Sequence, residues 1–301
     1  MTFRIGTCLF LTAVLASAGA SGWAFAIQDL VERRVTIAAG EVTLGASLYR
    51  SASAHGDLPL VVTAHGSAPS DREGVLFYTY RAMDLGFAAL SFDKRGTGES
   101  TGEYVSFSVE GSIAQFDDLA SDLAHAIEFG AQQEGIDSRC VGLFGGSQAG
   151  WIMPLAASRS DLVDFIIVGE GAVTTAGQEE IHGQILQARR GYESNPEITA
   201  QDIAMADNML EAYIGEPGYD PLPVLEALDI PILWIFGLQD AVIPVTPALN
   251  RLQNLIAAGH DNHHLLVFPF GDHNFTNRAT GERYDLVGPI RHWLTENGIC
   301  G

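Results

Sequence analysis

Lysine is almost absent from this sequence of 301 residues, and positive charge is scarce throughout it. Lys94 is the only lysine, and 16 basic residues stand against 37 acidic ones, which gives a formal net charge of −21 at pH 7. A surface of this sign repels the phosphates of nucleic acids and of anionic lipid headgroups. We therefore expect neither a nucleic-acid partner nor a stable association with membranes.

The first 26 residues differ in composition from the rest of the chain. Arg4 is their only charged residue, a mostly apolar run fills residues 5–18, and Ala24-Phe25-Ala26 has the small-residue pattern of a cleavage site. These features are typical of a secretory signal peptide. The apolar run is shorter than the ~20 residues that cross a bilayer, and an uncleaved anchor is the alternative. We expect residues 1–26 to be removed near Ala26, which would make the protein secreted or periplasmic.

Cysteine is nearly as rare as lysine, with three residues in the chain, of which Cys8 belongs to the predicted signal peptide. Cys140 opens an apolar stretch of strand length, and Cys300 follows the last helical segment. That helix should run antiparallel to the strands and end near Cys140, so a disulfide is geometrically possible in an exported protein. The alternative is two unpaired small hydrophobic residues, and the sequence leaves both open.

No residue pattern predicts a metal site or a cofactor. His263 and His264 have no further ligand at a spacing typical of zinc sites. The run Asp93-Lys94-Arg95-Gly96-Thr97-Gly98 contains glycines and cations, but its lysine precedes the glycines. A phosphate-binding loop has the order Gly-x-x-x-x-Gly-Lys-Ser/Thr instead. We expect this run to be a turn whose charges pair with one another, and we expect no cofactor.

Short apolar runs alternate with segments of helical periodicity over most of the chain. The predicted strands lie at residues 33–37, 42–49, 58–64, 87–92, 139–144, 163–168, 230–236 and 264–268, the first two as a hairpin at the sheet edge. The alternation predicts an α/β fold with a mostly parallel central sheet flanked by helices. It stops between residues 171 and 228, where two amphipathic helices are predicted at 178–192 and 200–214. We assign residues 27–170 and 229–301 to the core and residues 171–228 to a helical cap insertion.

The turn Gly145-Gly146-Ser147-Gln148-Ala149 joins an apolar strand to a helix. A strand that becomes a helix within four residues leaves space only for small side chains two positions before and after the apex, here Gly145 and Ala149. Such a turn presents the apex side chain at its tip, as the nucleophile elbow of serine hydrolases does. The pattern therefore predicts Ser147 as a nucleophile, with one extra methyl group at Ala149 where the usual motif has glycine.

Three other strand ends carry polar residues that could act with Ser147. Parallel strands present their carboxyl ends at one edge of the sheet, where ligands bind. His65-Gly66-Ser67, Asp240 and His273 each follow a predicted strand. Serine, acid and histidine thus occur in the chain order Ser147, Asp240, His273.

With this order and with a helical insertion after the strand that follows the nucleophile helix, the chain resembles the α/β-hydrolase family over residues 33–301. More narrowly, the runs 65–72, 93–100 and 145–151 are similar to those of secreted or periplasmic esterases of that superfamily. The resemblance implies that His273 is the general base and that Asp240 orients it. Glu170 and Asp272 are the rival acids.

The same mechanism needs two backbone N–H donors for the oxyanion. They are expected at Gln148 and at Ser67, with Ala68 as the alternative to Ser67, and His65 is expected to brace this loop. His273 is preferred as the base because His260, His263 and His264 precede the last strand, while His292 lies in the final helix.

These residues predict a serine esterase that cleaves a small carboxylic ester through an acyl-enzyme on Ser147. A thioesterase, a lactonase, a peptidase, a lyase or a cofactor-free perhydrolase could use the same groups. The peptidase is less expected because no propeller or other large gating domain precedes the sheet. A non-catalytic binding protein on the same scaffold is the alternative from another class. A set of apolar cap residues either lines an acyl pocket or forms the insertion's own core: Ile181, Ile185, Leu186, Met205, Met209 and Tyr213. The acyl chain length and the oligomeric state do not follow from the sequence.

Overall fold

The computed structural model describes residues 30–192 and 197–300, so the predicted signal peptide at residues 1–26 lies outside the described part of the chain. Within these ranges, eight strands form one sheet. The strands are β1 (Leu30–Ala39), β2 (Val42–Ser51), β3 (Leu58–Ala64), β4 (Ala88–Phe92), β5 (Ile136–Ser147), β6 (Phe165–Gly171), β7 (Ile232–Gly237) and β8 (His263–Phe268). The helices are α1 (Leu76–Asp84), α2 (Ser112–Ala131), α3 (Ala149–Ala157), α4 (Ala176–Tyr192), α5 (Ala200–Leu210), α6 (Leu222–Ala227), α7 (Val245–Ala258) and α8 (Val287–Glu296).

The strand order across the sheet is β1-β2-β4-β3-β5-β6-β7-β8. β1 and β2 form an antiparallel hairpin at one edge, and β2 also runs antiparallel to β4. From β4 to β8 every neighbouring pair is parallel. The predicted α/β fold with a mostly parallel sheet is therefore confirmed.

The central strands are apolar throughout because helices cover both faces of the sheet. Side chains of β5 alternate between two separate hydrophobic clusters, as the period of a strand requires. Leu143 packs into a cluster that includes Phe116 of α2. Its neighbour Phe144 packs into the other cluster, with Ile290 of α8. Because side chains of β5 are buried on both faces of the sheet, the register of β5 is fixed, and with it the position of the turn that follows.

The side chains of Cys140 and Cys300 form a disulfide, with their Cα atoms 5.4 Å apart. The bond joins β5 to the residues that follow α8, across 160 positions of sequence. Of the two possibilities that the sequence left open, the structure has the bridged one.

The segment between β6 and β7 contains α4, α5 and α6 and includes a small hydrophobic cluster of its own. Its buried members are Leu186, Ile198, Ile203 and Ala206, with Ile185 packed beside them. Met205 and Met209 are 45% and 54% exposed, so these two predicted pocket or core residues face solvent instead. α5 ends at Leu210, four residues before the predicted end of this helix. In the described ranges, helices long and apolar enough to cross a membrane are absent.

Candidate active site

Ser147 occupies a strained turn between β5 and α3. Its φ angle is 56°, in the left-handed region that non-glycine residues rarely adopt. The residues around it must be small. A Cβ atom on Gly145 would lie 2.6 Å from the carbonyl oxygen of Ala64 and 2.9 Å from the Cβ of Ala149, and one on Gly146 would collide with the hydroxyl of Tyr78. The turn can therefore close only with glycine at both positions before the serine.

Asp240 and His273, which follow β7 and β8, are in direct contact. Nδ1 of His273 lies 2.7 Å from Oδ2 of Asp240, whose side chain is fully buried. The other carboxylate oxygen accepts hydrogen bonds from the backbone N–H groups of Val242 at 2.7 Å and Ile243 at 3.2 Å. Because the ionised carboxylate is an acceptor only, the imidazole donates from Nδ1, and Nε2 of the neutral ring is left as an acceptor.

Asp272 and Glu170, the two rival acids, do not bond to His273. Oδ1 of Asp272 accepts the N–H groups of Asn274 at 2.9 Å and Thr276 at 2.8 Å, and so holds the loop that carries His273. No hydrogen bond joins the hydroxyl of Ser147 to His273 among the described residues. Nucleophile–base hydrogen bonds of this kind often tighten only when substrate binds.

Glu170, at the end of β6, is buried close to Asp240. It is 1% exposed and has a φ angle of 45°. Within the described residues, neither of its carboxylate oxygens has a hydrogen-bond partner. Burial, and next the negative charge of Asp240, raise the pKa of Glu170 well above its ordinary value. The raised pKa favours the protonated form of Glu170, which lies beside Asp240 without the repulsion of a second negative charge.

The loop after β3 runs directly against Ser147. A Cβ atom on Gly66 would lie 3.5 Å from the Cβ of Ser147. Neither the N–H of Ser67 nor that of Gln148 donates to an acceptor in the described part of the chain. These two N–H groups, predicted as oxyanion donors, are thus available to a ligand. His65 packs edge-on against Phe92 at 5.1 Å, and burial lowers its pKa to about 3, so its ring is neutral.

The charges of the 93–98 turn do not pair with one another, and this expectation is wrong. Both carboxylate oxygens of Asp93 accept from the guanidinium of Arg72, at 2.8 and 2.7 Å. Arg95 binds Asp122 of α2 through two hydrogen bonds, of 2.7 and 2.9 Å. Lys94 donates to carbonyl oxygens of the 66–68 loop. The side chains of the turn thus connect it to Arg72, to α2 and to the 66–68 loop. No local sequence pattern indicates these partners, because they are distant in sequence.

Sequence reasoning missed the contacts of Arg72 and Lys94. Composition was the one signal that could have drawn attention to Lys94, because it is the only lysine of an acidic chain and lies just after a predicted strand. Among the described residues, no group of three or more histidine, cysteine, aspartate or glutamate side chains is arranged to hold a metal ion.

The parallel sheet, the strained serine after β5 and the contact of His273 with the buried Asp240 are features of an α/β-hydrolase. The model of the prolyl oligopeptidase family, Peptidase_S9, matches residues 76–297. The chain belongs to this family, and it is a serine hydrolase of the α/β-hydrolase type. The resemblance drawn from the sequence is confirmed at this level. No curated protein matches the sequence.

Solved structures share the fold at low sequence identity. An esterase from Pyrococcus furiosus is 16% identical, with a TM-score of 0.65 over 92% of this chain and 95% of the esterase. An acetyl xylan esterase from Paenibacillus sp. R4 is 18% identical, with a TM-score of 0.57 over 91% of this chain and 85% of that one. An acylaminoacyl peptidase from Pyrococcus horikoshii is 15% identical, with a TM-score of 0.60 over 90% of this chain but 41% of the peptidase. Likeness at such identities shows the shared fold alone.

Proposed function

We propose that the protein hydrolyses carboxylic esters through an acyl-enzyme on Ser147, with His273 as general base and Asp240 as the acid that orients it. The observation that supports this proposal best is the 2.7 Å contact between Nδ1 of His273 and the buried Asp240 carboxylate. A histidine held in this tautomer has a basic Nε2, which is what a serine hydroxyl needs in order to become a nucleophile. The strained backbone at Ser147 is a second support, because strain of this kind is concentrated at functional sites.

The reaction proceeds in two acyl transfers. The oxygen of Ser147 attacks the ester carbonyl carbon while Nε2 of His273 takes the hydroxyl proton, and the resulting oxyanion is bound by the N–H groups of Ser67 and Gln148. The C–O bond to the alcohol then breaks, and His273 gives its proton to the leaving oxygen. A water molecule, deprotonated by the same histidine, then attacks the acyl carbon. The bond between this carbon and the Ser147 oxygen breaks, His273 gives its proton to that oxygen, and the acid is released.

The proposal is tested by the turnover of p-nitrophenyl acetate and butyrate by purified protein. Ser147→Ala should reduce turnover to the background rate while the far-UV circular dichroism spectrum and the melting temperature stay near those of the parent. Ser53→Ala, at an exposed serine, is the matched control and should keep full activity. A fluorophosphonate probe should label the parent and Ser53→Ala but not Ser147→Ala. Turnover retained by Ser147→Ala would rule out the assignment, and an unlabelled parent would favour a non-catalytic binding protein.

The family match favours a peptidase as the second candidate. Amide cleavage uses the same acyl-enzyme, and it depends more on His273 because an amine leaves only after protonation. Comparing kcat/KM for p-nitrophenyl esters, thioesters, lactones and aminoacyl p-nitroanilides would separate these activities. Rates on anilides as high as those on esters would replace the esterase assignment with that of a peptidase.

Export is proposed together with this activity. The disulfide between Cys140 and Cys300 supports it, since disulfides persist mainly in oxidising compartments. N-terminal sequencing of protein recovered from the periplasm or the medium should begin near Ile27. Protein that stays in the cytoplasm with residues 1–26 attached would contradict this proposal.

A further inference from the structure

The side chain of Lys94 is buried beside the predicted oxyanion hole. It is 4% exposed, and its Nζ atom donates to the carbonyl oxygen of Gly66 at 2.5 Å, to that of Ala68 at 3.1 Å and to Oε1 of Gln148 at 3.3 Å. The ammonium group also lies 5.7 Å from the centre of the Tyr104 ring, within the range of a cation–π interaction. Among the described residues, no ion pair involves Lys94, so its charge is compensated only by dipoles.

The bond to Gly66 has a direct consequence for the neighbouring N–H. The carbonyl of Gly66 and the N–H of Ser67 belong to one planar peptide unit and point in opposite directions. A lysine that holds the carbonyl therefore fixes the direction of the N–H. It also polarises the peptide, which strengthens the N–H as a donor. The contact with the Gln148 side chain links the same ammonium group to the residue that carries the other predicted donor.

Tyr104 makes the equivalent contact for the alternative donor. Its hydroxyl donates to the carbonyl oxygen of Ser67 at 2.7 Å, and that carbonyl shares a peptide unit with the N–H of Ala68. Lys94 thus acts on the Ser67 N–H and Tyr104 on the Ala68 N–H. Substitutions at these two side chains can distinguish the two candidate donors.

We propose that Lys94 is a positioning residue for acyl transfer: it orients and polarises the Gly66–Ser67 peptide and brings positive charge to the developing oxyanion. This inference rests on the proposed function and names a part of the same site. The ammonium group contacts protein atoms around the oxyanion hole and not the substrate. It should therefore stabilise mainly the transition state, where the negative charge on the substrate oxygen is largest. Its loss should therefore lower kcat far more than it raises KM.

The charge of Lys94 also predicts that kcat falls at alkaline pH. Burial lowers the pKa of Lys94 to about 8. Of the groups around it, His65 is neutral with a pKa lowered to about 3, and Arg95 and Asp118, which line the same cavity, form an ion pair of 2.8 Å. Tyr104, also in that lining, donates its hydroxyl to the carbonyl oxygen of Ser67. As the pH rises through about 8, the lysine loses its charge and kcat should fall.

The test compares Lys94→Met, Lys94→Gln, Lys94→Arg and Tyr104→Phe with the parent on p-nitrophenyl butyrate, between pH 6 and 9.5. Lys94→Met and Lys94→Gln should lose about 10–100-fold in kcat, a fraction of the effect of removing an oxyanion donor outright, with KM within about threefold. Their activity should show no fall near pH 8. Lys94→Arg, which keeps the charge, should recover part of the rate and also lack that fall.

Tyr104→Phe separates the two candidate donors, because it keeps the ring beside Lys94 and removes only the hydroxyl that holds the Ser67–Ala68 peptide. If the N–H of Ser67 is the donor, Tyr104→Phe should lose less kcat than Lys94→Met does. A Lys94→Met enzyme with parental kcat, or one that keeps the fall near pH 8, would overturn the proposal. A loss found in Tyr104→Phe and not in the lysine variants would overturn it too, by making Ala68 the donor. If Lys94→Met does not fold, the kcat of Lys94→Gln and the presence or absence of a fall near pH 8 in the parent test the proposal instead. Failure of the proposed function is recognised separately, because the parent itself would then hydrolyse no ester.

Discussion

Nδ1 of His273 lies 2.7 Å from Oδ2 of Asp240, although 33 residues of sequence separate them. The contact is possible because β7 and β8 are parallel neighbours, so that the loops leaving them meet at one edge of the sheet. The backbone N–H groups of Val242 and Ile243 hold the second carboxylate oxygen, which prevents Asp240 from turning away. The pair is therefore fixed before any substrate arrives.

Asp240→Asn should abolish most of the activity without unfolding the protein. An amide can donate to Nδ1, which favours the imidazole tautomer that has its proton on Nε2 and cannot act as a base. We expect kcat to fall about 10³–10⁴-fold, measured by stopped or continuous assay with p-nitrophenyl butyrate. Asp272→Asn is the control, and it should lose far less activity because Asp272 binds only loop N–H groups. A larger loss in Asp272→Asn than in Asp240→Asn would reverse the assignment of the acid.

The stability of Glu170→Gln relative to that of the parent should increase as the pH rises. A carboxyl whose folded-state pKa is raised favours the folded state fully only below its unfolded pKa, and this contribution is lost as the pH rises through the folded value. Between the two pKa values the folded state holds one proton more than the unfolded state. Between these two pKa values, the free energy of unfolding of the parent should therefore decline relative to that of Glu170→Gln as the pH rises, by at most about 1.4 kcal/mol per pH unit.

Urea titrations at several pH values between 5 and 8 measure this difference. Glu226→Gln, at an exposed glutamate of α6, is the control for the loss of one carboxylate from the surface. A Glu170→Gln difference that is constant with pH would show that Glu170 is ionised in the folded protein.

Replacing both cysteines by serine should destabilise the protein. The disulfide closes a loop of 160 residues, and bonds that close long loops restrict the unfolded chain most. We expect the free energy of unfolding to fall by about 2–4 kcal/mol in the double variant Cys140→Ser, Cys300→Ser. Reduction with dithiothreitol should lower the melting temperature of the parent and leave that of the double variant unchanged. Equal melting temperatures of the oxidised and reduced parent, with thiol alkylation proving reduction, would contradict this expectation.

The sequence predicted those parts of the fold and site that depend on local pattern. The order of strands and helices follows from hydrophobic periodicity, and the small residues at Gly145 and Ala149 are required by the turn itself. The parallel arrangement then brings Asp240 to His273 without further information. Other features depend on where side chains lie after folding. They include the hydrogen-bond partners of Lys94 and Arg72, the disulfide between Cys140 and Cys300, and the exposure of Met205.

The backbone strain at Ser147 gives a last prediction, which separates stability from activity. Glycine adopts a φ angle of 56° at little cost, whereas alanine has the same Cβ atom as serine and the same conflict with the backbone. Both Ser147→Gly and Ser147→Ala remove the nucleophile, and both should be inactive. Ser147→Gly should nevertheless be about 1 kcal/mol more stable than Ser147→Ala, because relief of the left-handed strain exceeds the larger entropy that glycine gives to the unfolded chain. Urea titration of the two variants provides the comparison. An alanine variant as stable as the glycine variant would mean that the turn imposes no strain, and that the conformation of Ser147 is no sign of a site maintained at the expense of stability.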